Sequence, residues 1–256
     1  MKHLKTVAFI LVTFSPWSFA WTHLSGNTYG WKQQKLTIHV NTNNCTLPDH
    51  EMYAVIDKAI AAWNGIPSTH LELVRSSTPA TDGEPQLRAG TATQVPLVVC
   101  STHLMDYAQD PNAILAFMPV SRIDNEGYIN FSGLVINAEV GTAAEISTLS
   151  QSEVELVIGH ELGHVLGLGH SGDPDALMYF QLNKKFLLLT QDDIDGITHL
   201  YPRNEFAQGA FGCASIHRPK TTVPSEGLLV LSLLAIFILF CGRIIFSTAP
   251  LREFEE

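Results

Sequence analysis

One stretch of eleven residues constrains this chain more than any other: His160-Glu161-Leu162-Gly163-His164-Val165-Leu166-Gly167-Leu168-Gly169-His170. His160 and His164 stand four apart, so on a helix their imidazoles share one face, a turn from each other. Just upstream, Ser150-Gln151-Ser152-Glu153-Val154-Glu155 holds two overlapping capping boxes, Ser150 with Glu153 or Ser152 with Glu155. Either one starts a helix that runs through both histidines. On a continued helix His170 would lie about 240° round from His164 and about 9 Å along the axis. It joins the pair only if the chain turns back, and Gly167 supplies a residue that tolerates positive φ.

A lone histidine is usually an ordinary surface or core residue; the three together at this spacing are not. Two neutral imidazoles one turn apart can reach a single Zn²⁺ at roughly 2.0–2.1 Å. His170 as the third ligand leaves the fourth position open, the pattern of a catalytic site. Glu161 points about 100° away from its neighbour. Beside the ion, its carboxylate can take a proton from attacking water and pass it to a leaving amine.

The rest of the chain suits an α/β (α+β) unit over residues 30–202, a fitting size for one large domain. Leu36 to Val40 alternates with period two and reads as a strand; Leu71 to Val74, Val95 to Val99, Ile114 to Val120 and Tyr128 to Asn137 read as others. Met52, Val55, Ile56, Ala59, Ile60 and Trp63 recur at helical spacing after Leu47-Pro48-Asp49 and before Gly65. Residues 76–94, rich in Ser, Thr, Pro, Asp and Gly, read as a loop. Asp124 to Gly127 is a turn. A last helix opens at Thr190-Gln191-Asp192-Asp193 and stops at Tyr201-Pro202.

The mean hydropathy is +0.13, and much of it comes from the two ends. Residues 1–20 read as a secretory signal, with Lys2 and Lys5, an apolar stretch from Val7 to Phe14 and Ser18-Phe19-Ala20 as a cleavage site. Pro16 argues against the alternative, a buried helix. Residues 203–226 form a linker. Gly227 to Gly242 carries no charge, and Ile244 to Phe246 extend it past an Arg243 that can snorkel. Residues 227–246 are therefore a transmembrane helix, or a sorting tail of similar composition that is later removed. The leader implies export of the middle segment, where Cys45 and Cys100 could pair, with Cys213 left over. The formal charge of −10 argues against nucleic acid as a partner.

The 160–170 stretch resembles the metzincin metalloproteases, whose signature HExxHxxGxxH precedes a methionine turn. His170 to Tyr179 supplies that turn, with Met178 as its methionine. Within the clan the chain looks most like the matrixins, the matrix-metalloprotease catalytic domain. Trp31 to Val40 is similar to the family's opening strand, Val55 to Trp63 to its first helix, and Leu189 to Ile197 to its last. The resemblance implies a twisted mixed sheet above a zinc cleft, an active-site helix and a C-terminal helix. It implies an edge strand near Ile114 to Pro119 for an extended peptide, and a pocket wall from Tyr179 to Leu189. Met178 would be a packed floor and not a ligand. Two departures stand out. No propeptide with an inhibitory cysteine fits between Ala20 and Trp31. His103 is the only histidine between His70 and His160, so a second, structural zinc site is not expected. Asp106, Asp110, Asp124 and Glu126 are either calcium ligands or, as the preferred reading, solvated loop carboxylates.

These observations point to an exported, membrane-tethered zinc endopeptidase that acts on protein or peptide. Its one catalytic ion would be held by His160, His164 and His170, with Glu161 as general base. The alternative is a non-catalytic metal-binding surface module. Glu161 argues against it, because a structural zinc site closes its fourth position and needs no base.

Overall fold

The computed structural model describes residues 21–24, 29–119, 121–181 and 183–203. The expected leader, the transmembrane helix or sorting tail, Cys213 and nearly all of the linker lie outside these residues. The chain divides into two compact units, 1–205 and 206–256, and the described residues all belong to the first. No helix among them is long and apolar enough to cross a membrane.

Six strands form one mixed sheet: β1 (Lys35–Asn41), β2 (Glu72–Arg75), β3 (Leu97–Ser101), β4 (Ala116–Phe117), β5 (Ser121–Ile123) and β6 (Ile129–Asn137). The order is β2-β1-β3-β6-β4, and β5 also pairs with β6. The first four run parallel, in registers Leu36↔Leu73, Val40↔Val98 and Val98↔Leu134, while β4 and β5 run antiparallel to β6. Both faces of the central strands are covered. Val98, Cys100, Leu134 and Ile136 pack into the main core, whereas Leu97, Val99, Phe131 and Val135 pack into a smaller cluster behind it. This is why β3 reads as a continuous apolar run instead of an alternating one.

The main core is closed by α1 (Asp49–Asn64) and α3 (Gln151–Leu166). The residues of α1 at helical spacing, Met52 to Trp63, are the ones that become buried. The Trp63 indole donates to Gly159 O of α3 at 3.0 Å. Cys45 and Cys100 are joined in a disulfide, tying the loop after β1 to β3.

Two sequence expectations need correction. The loop expected at 76–94 contains the helix α2 (Glu84–Ala89), which buries Leu87 against Leu97, Val99 and Phe131. It is six residues long and bracketed by Gly83 and Gly90, so its composition resembles a loop. The strand expected at 114–120 shrinks to Ala116–Phe117. The Asn137 side-chain amide binds Pro111 O and Ile114 O, both at 2.9 Å, and holds the preceding chain in a turn where a ladder would have continued.

Candidate metal centre

α3 begins at the first of the two possible capping boxes. Ser150 is the N-cap, and Glu153 accepts from Ser150 N at 2.8 Å and from its hydroxyl at 2.7 Å. The helix ends at Gly167, whose φ of 111° lies in the left-handed region that favours glycine. The last carbonyls of the helix find partners from distant segments. Trp31 Nε1 donates to Val165 O at 2.9 Å and Tyr201 Oη donates to Leu166 O at 2.8 Å.

The turn at Gly167 brings His170 back to the other two histidines. Among the described residues, His160, His164 and His170 are the one group of three or more metal-binding side chains that could share an ion; their nearest nitrogens all lie within 4.8 Å of one another. His160 Nδ1–H donates to Leu177 O and His164 Nδ1–H to Leu168 O, each at 2.7 Å. Those bonds set the tautomer and leave both Nε2 atoms with free lone pairs. His164 Nε2 lies 3.3 Å from His170 Nε2. An unprotonated nitrogen so close to another calls for a proton or a cation between them. The distance matches the edge of a tetrahedron with Zn–N of about 2.0–2.1 Å. The donor set therefore fits zinc. Burial lowers the basicity of all three imidazoles. His164 goes furthest, to about 3, with the neighbouring His160 adding to the effect of burial. Neutral imidazoles are what a metal requires.

Glu161 lines the same cleft, is 9% exposed and leaves Oε2 without a hydrogen-bond partner. Burial pushes its carboxyl up to about 8. A buried carboxyl that the fold does not satisfy is free to serve chemistry. The cleft holds about 620 Å³, and its upper rim is Ala113 to Met118, which includes β4. Of the expected pocket wall, Tyr179, Phe180 and Gln181 line the cleft. Leu187 instead packs against Gly159, so its neighbours Phe186 and Leu188 face solvent.

Met178 is 1% exposed and packs against α3 at Gly163. A Cβ on Gly163 would come within 2.3 Å of Met178 Sδ and 2.9 Å of Trp63, so this close approach needs glycine. The turn is held by a residue whose role the sequence did not reveal. Asp193, at the start of α4 (Gln191–Leu200), is 1% exposed and accepts from Leu177 N, Met178 N and Thr190 N at 2.8, 2.9 and 2.8 Å, and from the Thr190 hydroxyl at 3.0 Å. Asp193 thus fixes the peptide that in turn fixes the His160 ring. The signal available was its capping-box position; its reach to residue 177 was not readable from it. The four candidate calcium carboxylates do not converge. Asp106 takes Arg88, Glu126 takes Lys32 at 2.7 Å, and Asp110 and Asp124 accept from their own loops.

The matrixin family model matches residues 107–202. A soybean (Glycine max) protein named metalloendoproteinase 1 is 40% identical over 101 residues, covering 37% of this chain and 30% of that protein. Human neutrophil collagenase is 38% identical over 97 residues, 36% of this chain and 18% of the collagenase. Matrix metalloproteinase-18 of Xenopus laevis is 28% identical over 178 residues, 68% of this chain and 34% of that protein. The chain thus spans about a third or less of the length of each of these relatives.

Proposed function

We propose that this chain, which carries a matrixin-type metalloprotease domain, is a zinc-dependent endopeptidase. The observation that carries the reading is the pairing of three imidazoles, two with Nε2 turned inward by backbone bonds, with an unpartnered buried carboxyl in one cleft. His160, His164 and His170 would hold the ion. Zinc bound there supplies Lewis acidity, which polarises a carbonyl and acidifies water.

The chain's own groups do the rest. Pairing with β6 leaves the outer main-chain edge of β4 facing the cleft, where an extended peptide can add as a further strand. Beside a cation held by the three imidazoles, Glu161 favours its ionised form. Its carboxylate takes the proton of the attacking water as the C–O bond forms. It delivers that proton to the amide nitrogen as the C–N bond breaks, so no net proton is consumed. Met178 packs under the helix and keeps its ligands in place.

Export and tethering by the C-terminal segment complete the reading. The leader pattern of residues 1–20, the apolar run from residue 227 and the Cys45–Cys100 disulfide support it. The test is Glu161→Ala in the full chain. It should keep one zinc per molecule and lose hydrolysis of a peptide mixture by about 10²–10⁴-fold. Hydrolysis at the wild-type rate would exclude the mechanism and favour a binding module.

A further inference from the structure

His170 is the least supported of the three histidines. It lies beyond the end of α3, it is exposed, and among the described residues no acceptor meets its Nδ1, whereas the other two rings each have a carbonyl there. Its position depends on the main chain of the loop 167–170. That loop has an unexpected partner, the segment 21–24. Leu24 N donates to Gly167 O at 3.1 Å and Gly169 N donates to Thr22 O at 2.7 Å, so that His23 and Leu168 form an antiparallel bridge. The Thr22 hydroxyl donates to His170 O at 2.7 Å.

The molecule keeps room for this segment. A Cβ on Gly169 would lie 2.4 Å from Thr22 Oγ1 and 2.6 Å from His23 O. A Cβ on Gly196 of α4 would lie 3.2 Å from the Trp21 ring. Trp21 N donates to Asp192 Oδ1 at 3.0 Å, and the Ser171 hydroxyl donates to Asp192 Oδ2 at 2.6 Å. The rings of Trp21, His23 and His199 pack together with centroids 5.0–5.3 Å apart. Trp21 thus anchors the segment on α4, Thr22 grips Gly169 and His170, and Leu24 binds Gly167 at the end of α3.

We infer that residues 21–24 act as a strap that positions His170, with Thr22 as the positioning residue, so that retention of zinc depends on a segment about 150 positions away in sequence. This rests on the zinc reading of the site. Without the Thr22 bond, the His170 main chain gains freedom, and one of the three ligands must be ordered by the metal itself. Loss of a partner that orients a ligand typically weakens metal binding by about 10–100-fold. Because Thr22 acts through the His170 main chain and not its ring, the lower end applies.

The test measures zinc affinity by chelator competition and zinc loss into excess chelator, on the full chain, together with thermal unfolding of the metal-free protein. Thr22→Val should weaken zinc about tenfold and speed its loss, with little change in metal-free melting. Thr22→Ser, which keeps the hydroxyl, should restore affinity to within about twofold of wild type. Gly169→Ala, which displaces the strap, should cost more than Thr22→Val. Wild-type zinc affinity and release in Thr22→Val would overturn the strap's role while leaving the site intact. So would equal losses in the Val and Ser variants, or a loss matched by an equal fall in metal-free stability. A wild-type chain that binds no zinc would overturn the site and the strap together.

Discussion

The two helices that flank the methionine turn each bury a carboxylic acid, and they treat it in opposite ways. At the head of α4, Asp193 receives four donors from three residues. In the middle of α3, Glu161 has an oxygen with no partner and a carboxyl pushed up to about 8 by burial. A satisfied buried carboxylate stabilises the fold, whereas an unsatisfied one costs free energy wherever it is not used. The contrast separates a carboxyl the fold satisfies from one it does not more sharply than burial alone, since both residues are less than a tenth exposed.

The contrast can be broken by removing each acid in turn. Glu161→Gln should lower kcat by about 10²–10⁴-fold in peptide hydrolysis. It should leave zinc stoichiometry intact and the metal-free protein at least as stable as wild type in urea unfolding. Asp193→Ala should do the reverse to the fold, losing about 3 kcal/mol in the same unfolding assay. It strands the Leu177 and Met178 amides in a buried site and frees the carbonyl that orients His160. A Glu161 variant as unstable as the Asp193 variant would erase the distinction.

Two smaller effects sharpen it. Gly163→Ala should cost about 1–3 kcal/mol, because its methyl meets Met178 Sδ and Trp63 in a packed interior. Calorimetry checks this. Glu145 belongs with Asp193. It is 4% exposed, and although burial would raise its carboxyl, bonds from the Ser147 hydroxyl, the Thr46 hydroxyl and Ser147 N outweigh that and hold it below its usual value. A depressed carboxylate contributes stability that is present above its unfolded pKa and is lost as pH falls through the folded one. Wild type should therefore exceed Glu145→Gln by about 1–2 kcal/mol at pH 7, with the gap closing as the pH drops below about 4. Urea midpoints at several pH values would show it.

Much of the scaffold was legible because its signals are local. Helical spacing from Met52 to Trp63, the capping box at Ser150 and the glycine at 167 each act within a few residues, and each is found in place. That His160, His164 and His170 come together with Glu161 in one cleft was legible too, since one helix and one turn carry them all. What escaped was long-range or too short to show a period. The α2 helix is six residues long and looks like a loop. The start of β4 was curtailed by a side chain, Asn137, that lies on another strand. Asp193, Asp192 and Thr22 do their work across 15 to 171 residues of chain, and no residue pattern at that separation marks a partner.

The brevity of β4 has a consequence of its own. A cleft that offers a bare main-chain edge to passing peptides offers it equally to other copies of the same molecule. With only Ala116 and Phe117 in ladder geometry, the rim can register a short stretch of guest backbone but cannot template a growing stack of sheets. The length of that strand thus limits any edge-to-edge pairing between copies to two residues of ladder.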